Sequence, residues 1–452
     1  MRNSGHADLP LHTGTVPKWL ADRMMVMGTL ITESLIENFG PDEVLVRLSD
    51  PLWFQSFGAV MGMDWHSSGI TTSVMYALKR GLNPRANELG IYICGGRGKY
   101  SRMTPDELLQ ISDKEGLNGD QLVRNSKLVA KIDNNALQDG FQLYQHNFIL
   151  NKNGNWAVVQ QGMNVNQKTA RRYHWCSSEL RSFVENPHSA IVGENRGTIL
   201  NLTDKQAQSA RDSILELSTM QTDKVLDEIV QIGKPSSQII LLQGGKVESI
   251  SNKGPFNNES EKPLYKQGEL FPELAEAESH AEIRQRQKIQ IEVENSRNIV
   301  MPAHHEVLAQ DVDLKRLGGV LATAYQSQPK DFEELMLTPG LGPRTLQSLA
   351  LVSEVIYGSP SRFTDPARFS FAHGGKDGHP FPVPLKIFDE SIRVLRESIE
   401  KSKLGYKDKS DCIRRLHNTA LSIEQNCAPE VDFDAAIKYE RENSVNWDGK
   451  TV

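Results

Sequence analysis

Phe141-Gln-Leu-Tyr-Gln-His-Asn-Phe-Ile-Leu150, then Asn151-Lys-Asn-Gly154, then Asn155-Trp-Ala-Val-Val-Gln-Gln161 forms two apolar-rich flanks around a short polar break. Both flanks are rich in aromatic and β-branched side chains, so each reads as a strand. Between them Asn-Gly tolerates the positive φ that a tight reversal requires, which predicts a β-hairpin and hence a sheet. The polar content of this hairpin is unusual. Gln138, Asp139, Gln145, His146, Gln160 and Gln161 fall in or beside it, and Ala170-Arg-Arg-Tyr-His-Trp175 and Pro187-His188 follow closely. Such groups are costly to bury unless they are paired or used. The cluster is therefore the candidate active site, with a structural polar network as its rival.

The residue types suggest two chemistries. Asp133, Asp139 and His146 could offer hard oxygen and imidazole ligands to Mg²⁺ or Mn²⁺, although their spacing matches no metal motif. Alternatively a histidine, His146 or His174, acts as base or nucleophile with Asp139, Gln161 and Lys131 beside it, and Arg171 and Arg172 neutralise a phosphate.

Upstream, Trp19, Leu20, Met24, Met27, Leu30, Ile31 and Leu35 recur at helical spacing and predict a helix over 17–39. Ser67-Ser68-Gly-Ile-Thr71-Thr72 precedes a predicted helix over 73–79. Its hydroxyls and amides suit an N-cap or an anion. Leu89 to Ile93 reads as a strand running into Cys94-Gly95-Gly96-Arg97-Gly98-Lys99, a glycine-rich turn able to cradle a phosphate through Gly95, Gly96 and Lys99. It is neither a Walker loop nor a dinucleotide fingerprint, so neither ATP nor NAD is expected.

Downstream, residues 233–300 are rich in Ser, Asn, Gly, Lys, Glu and Pro and read as a flexible linker or insert. The expected class is thus α+β: a mixed α/β domain over 1–232 with the hairpin in its sheet, then the linker, then an all-α domain over 301–452. In the last domain Met336-Leu-Thr-Pro-Gly-Leu-Gly-Pro-Arg-Thr345 joins two apolar helical patterns. Its glycines allow close backbone approach, and the second helix presents free N–H groups and its positive dipole end, which suits a phosphate.

That stretch resembles a helix-hairpin-helix motif, a sequence-independent binder of the DNA backbone in repair nucleases, glycosylases and ligases. The resemblance implies a grip on DNA through the Gly340 and Gly342 amides with Arg344 and Thr345, to which the downstream Lys376 adds a cation. Helix-hairpin-helix glycosylases carry a catalytic aspartate downstream of the hairpin, where Asp365 stands here. Bifunctional ones place a lysine where this chain has Arg344, which stays protonated and forms no imine. A wider resemblance rests on Trp65-His-Ser-Ser-Gly-Ile-Thr-Thr72, Cys94 to Lys99, Gln138-Asp-Gly140, Trp156-Ala-Val-Val-Gln-Gln-Gly-Met163, Ala170 to Trp175 and Ala372-His-Gly-Gly-Lys-Asp-Gly378. These motifs resemble an uncharacterised prokaryotic domain-of-unknown-function family, which implies no activity.

Composition sets the limits. The net charge of −6 means that any nucleic-acid affinity comes from local basic patches. The four cysteines form no CxxC pair, which suggests no disulfide framework and fits a reducing cytoplasm. No apolar run of membrane-spanning length occurs, so no membrane role is expected. The expectation is a DNA-processing enzyme, a metal-dependent nuclease of repair or recombination, with DNA favoured over RNA. A glycosylase using Asp365 and a non-catalytic DNA-binding adaptor are the alternatives.

Overall fold

The computed structural model describes residues 8–11, 16–63, 68–226, 314–367 and 385–425. The expected linker over 233–300 lies outside these residues, as do Ser67 and Lys376.

In chain order the elements begin with β1 (Leu9–Pro10), α1 (Lys18–Phe39), α2 (Pro41–Ser49), α3 (Pro51–Val60), α4 (Gly69–Leu82) and α5 (Ala86–Leu89). Then come β2 (Ile91–Arg97), α6 (Thr104–Glu115), α7 (Gly119–Lys131), a π turn over Ile132–Ala136, β3 (Leu137–Gln138), β4 (Gln142–Asn151), β5 (Trp156–Asn164) and β6 (Thr169–Cys176). β7 (Ala190–Val192), β8 (Thr198–Asn201) and α8 (Gln208–Thr219) close the first half. The second half carries α9 (Leu314–Ser327), α10 (Phe332–Met336), α11 (Pro343–Tyr357), β9 (Arg362–Thr364), α12 (Leu385–Lys401) and α13 (Tyr406–Gln425).

The predicted hairpin forms as β4 and β5. Gly154 takes φ +82° at its turn, and the Asn151 side chain accepts from the Asn153 and Asn155 amides. The main sheet runs β1-β6-β5-β4-β2, with β7 sharing the edge of β6 with β1, and every pairing is antiparallel. A small second sheet, β3-β8-β9, draws its last strand from the otherwise helical second half.

Strict alternation along the strands gives the main sheet two apolar faces. Ile91, Ile93, Ile149, Ala157 and Val159 point to a core shared with α1–α4, α12 and α13. Tyr92, Cys94, Phe148, Leu150, Trp156, Val158 and Trp175 point to a core shared with α6–α8 and α9–α11. Both faces are thus covered by helices, and the C-terminal helices contribute to both cores. Each fully buried aliphatic or aromatic side chain there contributes about 1.5–3 kcal/mol.

One local prediction changes, and one helix forms where the sequence carried no prediction. The stretch Leu52 to Phe57 is the wholly buried α3, capped by Asp50, whose carboxylate accepts from the Leu52 and Trp53 amides. The glycine-rich segment after Ile93 is no turn. β2 continues through Gly95 and Gly96 to Arg97, pairing them with Asn147 and His146. Gly95 is glycine for steric reasons, since at φ +79° a Cβ would lie 2.2 Å from the His146 carbonyl oxygen.

Candidate active site

The polar residues of β4, β5 and β6 divide into three networks, because neighbouring strand residues point to opposite faces. His146, Gln160 and Tyr173 lie directly across from one another on one face. Asn147, Val159 and His174 do the same on the other. His146 and His174 are therefore separated by the sheet.

The first network is ionic. Arg171 Nη1 reaches Asp139 at 2.9 Å and Asp365 at 2.9 Å, and its Nη2 lies 3.8 Å from Asp8, which also pairs with Arg196. Tyr173 donates its hydroxyl to Asp139 at 2.7 Å. The Arg171, Asp139 and Asp365 side chains are fully buried. One guanidinium cannot neutralise two adjacent carboxylates, and burial together with the Asp365 charge pushes the Asp139 carboxyl up to about 6 despite Arg171. Asp139 and Arg171 are thus committed to each other, and Asp365 offers no carboxylate to a ligand. Its oxygens accept from Arg171 and from the Arg196 and Ala367 amides.

The second network holds Arg172. Buried against α3 and α4, it donates to Gln55 at 3.0 Å, to the Thr71 hydroxyl at 3.4 Å and to His174 Nε2 at 2.8 Å, with its guanidinium over the Phe54 ring. His174 Nδ1 meets the Leu48 carbonyl, and burial beside Arg172 holds the imidazole well below its ordinary range. Gln161 donates to the Ser68 carbonyl and to Tyr144, and Gln145 donates to the Thr71 carbonyl. Arg172, His174, Gln161, Ser68 and Thr71 hold the sheet to α2, α3 and the start of α4. They do not meet His146.

The third network opens to solvent. Ser126, on α7, lies 2.9 Å from His146 Nε2, and His146 Nδ1 lies 2.7 Å from Gln160 Oε1. The Gln160 amide nitrogen donates to Asp133 Oδ2 and, at 3.4 Å, to the Val129 carbonyl. Asp133 also accepts from Trp175 Nε1 at 3.0 Å and from His188. Since the Gln160 nitrogen is anchored by a carboxylate, its oxygen must face His146, which must therefore carry its proton on Nδ1. The Nε2 lone pair then points at the Ser126 hydroxyl. Burial lowers the His146 imidazole from its ordinary value, leaving it neutral at pH 7.

Ser126 and His146 line a cavity of about 180 Å³ with Ser101, Arg102, Lys127 and Tyr144. Arg102 and Lys127 are exposed at its rim. Gly95, Gly96 and Lys99, the residues expected to cradle a phosphate, do not line this cavity; beyond them in the chain, Ser101 and Arg102 do. The Gly95 amide is already taken by Glu107, and the exposed Lys99 sits over the Tyr100 ring.

The proposed metal set does not assemble. Asp133 and Asp139 belong to separate networks, His146 has both ring nitrogens engaged, and among the described residues no three His, Cys, Asp or Glu side chains gather as ligands. A divalent ion is not fitted by these residues.

The turn between α10 and α11 packs on α7. Lys131 Nζ donates to the Leu341 carbonyl at 2.6 Å, joined by Asn135, while Gln138 donates to the Pro343 carbonyl and Arg124 pairs with Glu333. Lys131 is thus a fastener of this turn and not a neighbour of His146 in the cavity. Gly340 and Arg344 face solvent, Gly342 is half-buried at the start of α11, and Thr345 is buried. At about 3.6 residues per turn, Ser126, Lys127 and Ala130 form one strip of α7, and Arg124 and Lys131 form the next. Cavity and turn are neighbours along one helix.

Sequence reasoning singled out His146 and named Gln160 only as part of the polar hairpin, and it did not single out Ser126 or join Asp133 to Gln160. A signal was present: Ser126, Val129 and Asp133 recur at i, i+3 and i+7, the core stripe of an amphipathic helix, with polar residues at two of its three positions.

No curated protein and no solved structure matched the chain. The motifs quoted from Cys94 to Trp175 form β2, the β4–β5–β6 hairpins and the polar networks between them, and all lie within the matched span. The chain belongs to the family described as "Protein of unknown function (DUF763)", whose model matches residues 5–383.

Proposed function

We propose that the protein processes the sugar-phosphate backbone of nucleic acid, with DNA as the favoured substrate, as a phosphodiester hydrolase. The observation that carries this reading is the Ser126–His146 pair, locked in one tautomer from behind and opening beneath Arg102 and Lys127. A neutral imidazole whose Nε2 lone pair faces a hydroxyl is placed as a general base at pH 7. Two exposed cations at the rim suit a phosphate's charge. The exposed Gly340 and Arg344, one strip further round α7, would hold the strand at a second point, as a helix-hairpin-helix turn does.

The test is cleavage of single-stranded, nicked, flapped and branched DNA and of matching RNA, with and without Mg²⁺ or Mn²⁺. Cleavage of at least one substrate is expected, with His146→Ala slowed roughly 10²- to 10⁴-fold. Arg344→Ala should weaken binding and lower its salt dependence by about one phosphate contact, with stability unchanged. If every substrate stays intact while binding persists, the protein is an adaptor. If neither occurs, the nucleic-acid reading is lost.

A further inference from the structure

Several serines inside the helices bond their own helix, whereas Ser391 reaches across to Asp50. Ser112, Ser213, Ser218, Ser348 and Ser398 each return the hydroxyl to the carbonyl four residues earlier. Ser126, in the middle of α7, does not. Its hydroxyl is directed at His146 Nε2, and it lines a cavity that cations border. Behind the histidine stands an ordered series: Gln160, then Asp133, then Trp175 and His188. Asp133 sits on the π turn at the end of α7, a distortion frequent at functional sites. Nucleophile, base and orienter thus stand in the order that activates a serine, with Gln160 inserted between base and carboxylate.

The geometry points to Ser126 as a covalent nucleophile, taking the phosphoryl centre of the substrate onto its own oxygen. This rests on reading the cavity as a phosphodiester site. Ser126 Oγ attacks phosphorus while its proton passes to His146 Nε2. The Oγ–P bond forms, the P–O bond to one side of the strand breaks, and the imidazolium returns the proton to the departing oxygen. Water then attacks the phosphoseryl group, with His146 again taking the proton, and the Ser126 hydroxyl is restored. Gln160 and Asp133 are positioning residues that hold the imidazole and favour the proton on Nδ1.

The probe is a tagged alkyl fluorophosphonate, which needs no knowledge of the natural substrate. Attack forms an Oγ–P bond and expels fluoride. Intact-mass analysis should show one adduct per chain, and peptide mapping should place it on Ser126. Ser126→Ala should lose it, His146→Ala should label at least about 10²-fold more slowly, and Gln160→Glu should shift the pH profile of labelling because it adds a charge beside the base. Thermal melts of the variants within a few degrees of the parent establish that they are folded. In parallel, acid-quenched reactions with cleaved DNA are assayed for protein-linked oligonucleotide. Labelling of Ser126 without DNA or RNA cleavage supports the nucleophile and removes the phosphodiester-hydrolase reading. Cleavage that survives intact in folded Ser126→Ala overturns the nucleophile and leaves that reading standing. Absence of labelling at Ser126 in the folded parent protein overturns it as well.

Discussion

The Arg171 cluster and the His146 series lie on the same face of the main sheet, and their Arg171, Asp139, His146 and Gln160 are residues that sequence analysis groups in one polar site. They differ in where they end. The cluster closes on itself: Arg171 and Arg196 face Asp8, Asp139 and Asp365, and the groups between them are sealed. The His146 series begins at a buried carboxylate and finishes at a hydroxyl on a cavity wall. A buried polar group is therefore informative about chemistry only through its last partner. When that partner is another protein group the network holds structure, and when it is a space bordered by cations the network can act.

This contrast can be broken by experiment. Arg171→Met should have the largest effect, because it leaves three buried carboxylates facing one cation. A loss of about 3–5 kcal/mol in denaturant unfolding is expected, and a loss under about 1 kcal/mol would mean the cluster is not a structural closure.

The next contrast is pH. The Asp139 carboxyl titrates near 6 when folded against 3.8 in the unfolded chain, so the folded state binds the extra proton between these values. Acidification from pH 6 towards 4 therefore favours folding through Asp139. His146 has the opposite sign: its folded value is depressed from 6.5, so below pH 6.5 the unfolded chain takes up the proton first and stability falls. On acidification wild type should gain on Asp139→Asn and lose to His146→Gln, each by at most roughly 1.4 kcal/mol per pH unit. Parallel curves for the two variants would erase the distinction.

Smallest is Lys131→Met, which removes one bond to the Leu341 carbonyl while Asn135 keeps the other. A cost of about 1 kcal/mol is expected, with fluorophosphonate labelling of Ser126 unchanged because Lys131 fastens the turn and does not border the base.

The features legible from the residues alone are local. The Asn-Gly reversal, the helix from Lys18 to Phe39 and the mixed composition of sheet and helices follow from propensity, period and turn chemistry, which act over a few residues. Membership of a family of unknown function was also expected from the sequence, and the family model over residues 5–383 shows it. Which polar residues meet depends on the packing of distant elements. Strand period two sends His146 and His174 to opposite faces, while Ser126, twenty residues before His146, is brought to it by the packing of α7 on the sheet. Asp139 and Asp365 meet across more than two hundred residues because both accept from one arginine. Such pairings depend on which faces the two cores bury, and no spacing in the chain encodes that.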